Sequence, residues 1–233
     1  MSTKEEAKAR LVKAHHILYM EGLAEDTYRG HITLKTETGI VYIKPWAKGF
    51  QEVRETDLLG VDLDGNLIDG EGRLHSELPI HLEIYRSRAE IVSVVHLHPY
   101  YSVLLSSVFD GKMKMISQNG MHFWEGVPFH ASPELINSKK QGEELSQLMG
   151  ERLVLLMRNH GIVIAGRSLE EAMVLAIDFE KAAKEHLMIS TFGPATEISL
   201  ETAQKMSSRI FSAEQYRMMW DFYCRKLERA KFI

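Results

Sequence analysis

The stretch Ile91-Val92-Ser93-Val94-Val95-His96-Leu97-His98-Pro99 joins a short apolar run to two histidines spaced i, i+2 and then to a proline. The run predicts a buried β-strand. Side chains alternate across a strand, so His96 and His98 point to the same side. Two imidazoles projecting together from a strand end can hold one divalent metal, and Pro99 ends the strand where a pocket can open.

On either side of this stretch the periodicity changes repeatedly. Residues 4 to 21 carry Ala7, Leu11, Ala14 and Leu18 at helical spacing, with Gly22 placed to cap the C-terminus. Short β-like runs follow at His31–Lys35, Gly39–Lys44 and Leu59–Leu63, the last running into an Asp64-Gly65 hairpin turn. A helix is predicted from Ser76, as N-cap, to about Arg88, with Pro79 in its first turn. Beyond the histidine strand lie a loop-rich middle with Gly120, Gly126 and Pro128, and a polar helix near residues 138 to 149. Strands at Leu153–Met157 and Ile162–Ala165 flank the turn Arg158-Asn159-His160-Gly161. Ser168 and Glu171 form a capping box for a helix to about Met188, and a last helix runs from Ala213 to Ala230. Such interleaving without strict βαβ order predicts an α/β fold with a mostly antiparallel or mixed sheet covered by helices. No linker, repeat or composition shift divides the chain, so residues 1–233 read as one domain.

Composition narrows the function classes. With 45% hydrophobic and 26% charged residues, the 233-residue chain can bury a sizeable core. A formal charge of -4 gives no electrostatic basis for nucleic-acid binding. The charged N-terminus lacks the apolar segment of a signal peptide, and no apolar run approaches the ~20 residues of a membrane span. One cysteine, Cys224, excludes an intramolecular disulfide, and a cytoplasmic protein without membrane contact is expected.

Two further residues join the histidine pair. His160 sits in a turn after an apolar strand, as His98 does, and Gly161 allows close backbone passage. Glu77, in the first turn of a helix, can complete a metal site or act as acid/base beside it. Three histidines and a glutamate suit Zn²⁺, Mn²⁺, Fe²⁺ or Co²⁺. Read singly, each has a simpler use: a lone histidine is usually solvated or a satisfied core group, and an N-terminal glutamate complements the helix dipole. His15, His16 and His186 lie in predicted helices and read as structural or solvated.

Ser76-Glu77-Leu78-Pro79-Ile80-His81, Ile84-Tyr85-Arg86-Ser87-Arg88, Val94-Val95-His96-Leu97-His98-Pro99, Arg158-Asn159-His160-Gly161-Ile162-Val163 and Gly166-Arg167-Ser168-Leu169-Glu170-Glu171-Ala172 together resemble the class II aldolase/adducin family, in order and spacing, from about Lys8 to Glu185. The resemblance implies an α/β/α fold around a mostly antiparallel sheet, and a cyclic homotetramer with active sites at subunit interfaces. It implies one divalent metal per subunit on His96, His98 and His160. Glu77 matches the family's acid/base glutamate, which can also ligate the ion, and His81 lies on the same helical face.

The chain departs from the sugar-phosphate aldolases of that family at their phosphate motifs. Gly30-His31-Ile32-Thr33, Lys44-Pro45-Trp46-Ala47 and His75-Ser76 stand where Gly-Asn-x-Ser, Thr-Pro-Ser-Gly and a serine pair are expected, so neutral phosphate donors are lost. An aromatic wall at Trp46 with His31 and Lys44 suits a flat anionic substrate instead, although Trp46 as packing and Lys44 as a solvated charge would also account for the pattern. Ile116–Gly126 lacks the aldolases' proton-transfer tyrosine and, like Pro133-Glu134-Leu135-Ile136, is closer to the decarboxylase branch acting on hydroxylated aromatic or pyridine carboxylates. The resemblance therefore implies a metal-dependent lyase that decarboxylates a small carboxylate, with Lys44, Trp46, His75 and Ser76 at the substrate and Glu77 or His31 delivering a proton. Retro-aldol cleavage of an unphosphorylated hydroxy-carbonyl compound is the alternative. The adducin branch, which binds partners without catalysis, is expected to lack the metal histidines. Tyr216, Trp220 and Tyr223 form a stripe on the last helix that reads as packing rather than as a lid.

Overall fold

Strands this short gain stability only by pairing and by burying both faces of the sheet under helices. In the computed structural model, which describes residues 4–230, the order is α1 (Lys4–Met20), β1 (His31–Lys35), β2 (Val41–Ile43), β3 (Leu59–Val61), β4 (Leu67–Asp69), α2 (Leu78–Ser87), β5 (Ser93–Leu97), α3 (Tyr100–Val108), α4 (Gln118–Met121), β6 (Phe129–His130), α5 (Lys139–Met149), β7 (Val154–Met157), β8 (Gly161–Gly166), α6 (Leu169–Ile189), α7 (Leu200–Ile210) and α8 (Ala213–Arg229). The strands form one sheet in the order β4-β3-β2-β1-β5-β8-β7-β6. Neighbours are antiparallel except the parallel pair β6–β7. The result is an α/β/α fold with a central, mostly antiparallel sheet covered by helices, as the resemblance implies.

The two faces are distinct in the sequence. Ile32, Leu34, Val95, Leu97, Ile162 and Ile164 pack beneath α1, α6 and α8, against Leu11, Ile17, Phe179 and Trp220. Val41, Ile43, Val94, Leu155 and Val163 face α2 and α5, against Ile80, Ile84 and Leu145. Each such aliphatic side chain contributes ~1.5–3 kcal/mol on full burial. On β1 the alternation leaves His31 and Thr33 on the α2 face, and the register pairs His31 with His96 and His96 with Val163. Imidazoles from adjacent strands are thereby stacked side by side.

Several boundaries differ from expectation. His96 lies inside β5 rather than beyond its end, and Pro99 is the N-cap of α3, a helix its β-branched and aromatic residues did not predict. The N-cap of α2 is Glu77, not Ser76. The helix begins one residue later because the carboxylate of Glu77 turns toward the histidines and accepts a hydrogen bond from Ile136 N at 3.1 Å. Helix α7 was also unforeseen, although Ser199 caps it by accepting from Thr202 N. The aromatic stripe of α8 is buried in the core against α1 and α6, as packing requires.

Candidate active site and metal centre

The side chains of Glu77, His96, His98 and His160 converge from the start of α2, from β5 and its end, and from the β7–β8 turn. One ligand atom from each lies within 4.8 Å of all the others. The Nε2 atoms of His96 and His98 are 3.1 Å apart, and the two oxygens of Glu77 lie 3.6 Å from His96 Nε2 and His160 Nε2. His160 is delivered by a tight turn in which Asn159 adopts φ 50°, a left-handed conformation that asparagine tolerates. Thr27 and Ala47, also left-handed, adjoin Asp26, Tyr28 and Trp46. All three positive-φ residues other than glycine among the described residues thus border this site, where conformational strain of ~1–3 kcal/mol each is retained.

The second nitrogen of each strand histidine decides what the first can do. His96 Nδ1 donates to the Ile162 carbonyl at 3.0 Å, and His98 Nδ1 donates to the Asp26 carboxylate at 2.6 Å. Both partners accept only, so both Nε2 atoms present bare lone pairs to each other at 3.1 Å. Two lone pairs and a carboxylate facing one another repel unless a cation lies among them. The donor set therefore fits a divalent metal, with Asp26 and the Ile162 carbonyl orienting the ligands from behind. Burial lowers the pKa of His98 despite the opposing pull of Asp26.

A cavity of 580 Å³ opens beside this centre. Its walls include His31, Trp46, His75, Ser76 and Glu77. Trp46 is 37% exposed, has Tyr28 against its ring edge and Arg73 4.1 Å over its face, and forms one wall. Lys44 does not reach the cavity, contrary to the expectation that it would hold a carboxylate or lie in solvent. It is 0% exposed, because β2 points it inward, where its ammonium donates to the Tyr28 carbonyl at 2.8 Å and to His75 Nε2 at 3.0 Å. Burial lowers its pKa to about 7. His75, behind which it sits, is lowered to about 3, chiefly by burial and then by Lys44.

His31 faces the cavity and is backed by a chain of buried groups. Its Nδ1 lies 2.6 Å from His81 Nε2, and His81 Nδ1 lies 2.8 Å from Thr33 Oγ1, which in turn is 2.7 Å from the Tyr85 hydroxyl. Burial first, and then the crowding of neighbouring imidazoles, push His31 and His81 well below the usual histidine range. Position 81 thus supports His31 rather than a metal histidine. Sequence reading missed Arg29, Tyr100 and Asn159 on the cavity wall, and Asp26 behind His98. Asp26, Arg29 and Tyr100 come from a loop or a helix end that only the fold brings near, whereas Asn159 sits inside the quoted Arg158-Asn159-His160-Gly161 turn, where its neighbour His160 drew the attention. His15 and His16, expected to be structural or solvated, are buried in α1, where they donate to the Leu11 and Val53 carbonyls.

Residues 9–187 match the family described as Class II Aldolase and Adducin N-terminal domain. The chain is similar to a 3,4-dihydroxyphthalate decarboxylase of Arthrobacter keyseri, 30% identical over 81% of each chain. It is also similar to an L-fuculose phosphate aldolase of Methanocaldococcus jannaschii, 30% identical over 68% of this chain and 84% of the other. Among solved structures, an aldolase II superfamily protein from Pseudomonas syringae superposes with a TM-score of 0.90 at 21% identity, covering 100% of this chain and 96% of that one.

Proposed function

Since this chain belongs to the class II aldolase/adducin family, we propose that it is a divalent-metal-dependent lyase that removes carbon dioxide from a hydroxylated aromatic or pyridine carboxylate. The observation that carries the reading is the pairing of a metal-type donor set with a cavity on whose wall Trp46, His31 and His75 stand beside Ser76. A divalent cation on His96, His98 and His160, with Glu77 as fourth ligand or adjacent acid/base, supplies Lewis-acid stabilisation of the negative charge that builds up on the substrate. Zn²⁺ or Mn²⁺ is the proposed ion, and Fe²⁺ and Co²⁺ suit the same donors.

The protein's own groups do the rest. Trp46 stacks on the flat ring, and Ser76 and His75 line the same cavity. Lys44 holds His75 in place from behind, and the exposed guanidinium of Arg29 at the cavity wall provides the cation for a substrate carboxylate. When the bond from ring carbon to carboxylate breaks, its electron pair stays on the ring and a proton must be delivered there. Glu77 and His31, both on the cavity wall beside His96, are the candidates. Retro-aldol cleavage of an unphosphorylated hydroxy-carbonyl compound is the second reading, favoured by the similarity to the phosphate aldolase.

Five large apolar side chains, Tyr28, Trp46, Tyr100, Leu104 and Leu135, are exposed and also line this cavity. Such a rim supports a homotetramer in which a neighbouring subunit closes the site. The test is carbon dioxide release from ortho-hydroxy aromatic and pyridine carboxylates by metal-loaded protein, with Glu77→Gln alongside. Release that stops with chelator and falls at least ~100-fold in the variant is expected. Metal-loaded protein that yields an aldehyde from hydroxy-carbonyl compounds and no carbon dioxide would select the aldolase reading.

A further inference from the structure

We propose that helix α3 is a bracket between two of the metal-type ligands, His98 and His160, and that Ser106 and Glu180 are the positioning residues that hold its two ends. The three histidines are not equally supported. His96 and His98 are each tied through Nδ1, to the Ile162 carbonyl and to the Asp26 carboxylate. Nδ1 of His160 is buried and has no hydrogen-bond partner among the described residues. With no hydrogen bond behind the ring to orient it, His160 takes its direction from the backbone of the β7–β8 turn. That turn is held from α3. Asn159, left-handed at φ 50° and next to His160, donates its backbone N–H to Ser106 Oγ at 2.8 Å. The same hydroxyl donates to the Val103 carbonyl at 2.6 Å, so its proton is committed within α3 and a lone pair faces the turn. Ser106 is buried, and removing its oxygen leaves the Asn159 N–H without an acceptor.

The other end of α3 follows directly on His98 and Pro99. Pro99 is the N-cap and has no side-chain oxygen, so the first N–H groups of the helix need an acceptor from elsewhere. Glu180 of α6 supplies it: its carboxylate accepts from Tyr101 N and Ser102 N, each at 2.8 Å, and from Ser102 Oγ at 2.6 Å. One helix, clamped to α6 at its start and bonded to the turn near its finish, thereby sets the spacing of the His98 and His160 rings, which stack with centroids 5.1 Å apart. Ser106 and Glu180 are not on the cavity wall and act only through the ligands they hold. The inference rests on the metal-centre reading above and is independent of the reaction.

The test is Zn²⁺ affinity of the full chain without substrate, measured by competition with a chromophoric chelator. Ser106→Ala is expected to bind Zn²⁺ roughly 10–100-fold more weakly than the wild type. In a His160→Ala background, where the turn carries no ligand, the same substitution should change the affinity by less than about 2-fold. A serine that served stability alone would lower the urea midpoint and leave the affinity of the folded protein unchanged. Glu180→Gln, close in shape to the native residue, is expected to lose at least ~10-fold in affinity with an unchanged circular dichroism spectrum, and it decides the matter if Ser106→Ala does not fold. Wild-type affinity in either folded variant, or an equal loss from Ser106→Ala in both backgrounds, would overturn the bracket. A wild type that binds no Zn²⁺ would reject the metal centre itself, and the bracket with it.

Discussion

Asp26 shows how much of a metal centre can depend on a residue that no motif contains. Its carboxylate takes the Nδ1 proton of His98 and so fixes which nitrogen faces the other ligands. Replacing it with asparagine weakens that acceptor and allows the ring to turn. Asp26→Asn is expected to lower metal affinity by roughly 10–100-fold, measured by competition with a chromophoric chelator, while the far-ultraviolet circular dichroism stays unchanged. An unaltered affinity would show that the Ile162 contact and the carboxylate of Glu77 suffice. Lys44 is the counterpart in the opposite sense: the sequence marks it as a cation for substrate, yet its charge is buried. The unfolded chain keeps the ordinary pKa of 10.5 and the folded chain holds the group at about 7, so between those values the unfolded state binds more protons. This lysine therefore makes stability rise from pH 7 toward pH 10.5, and below pH 7 its effect is constant. Urea unfolding at pH 7 and pH 9 should show a larger gain for wild type than for Lys44→Met. Equal gains in the two proteins would sink the assignment.

The strands impose the tightest limits at the element scale. Gly161 opens β8 where the backbone passes so close to β5 that a Cβ would collide with the Leu97 carbonyl oxygen and crowd the His98 ring. Gly161→Ala must push β8 away from β5, which carries His96 and leads into His98, or displace His160 beside it. It is expected to cost ~3 kcal/mol or more in chemical denaturation and to abolish stoichiometric metal binding. A variant with wild-type stability and metal content would refute the close approach. This element logic was partly readable in advance. Strands β1, β5, β7 and β8 and helices α1, α2, α5, α6 and α8 follow from apolar period and capping residues, and so does the common side of His96 and His98. What was hidden is what depends on partners distant in sequence. Pro99 reads as a strand stop but caps α3, Ser76 reads as the cap that Glu77 occupies, and the His31–His81 contact spans 50 residues. The fate of Lys44 could not be read either, because a strand of three residues flanked by turns does not reveal which side its end will bury.

Across the whole molecule, the metal-type donors and the cavity rim have different origins. His96 belongs to β5, His98 follows directly on it and His160 immediately precedes β8, in the middle of the sheet; the rim is made by Tyr28, Trp46, Tyr100, Leu104 and Leu135, on loops and one helix edge. If a neighbouring subunit covers that rim, a charge within it must weaken assembly. Leu104→Asp is expected to shift the sedimentation coefficient toward that of a smaller species and to lower turnover in proportion, whereas an unchanged profile would place the subunit contact elsewhere. The same separation bears on descent. Substitutions on the rim meet few of the packing demands that fix the central strands, so the rim can change while the buried cluster of Glu77, His96, His98 and His160 keeps its geometry. Relatives named for removing a carboxylate and relatives named for splitting a sugar phosphate can then share one ancestral scaffold, diverging at its mouth and not at its centre.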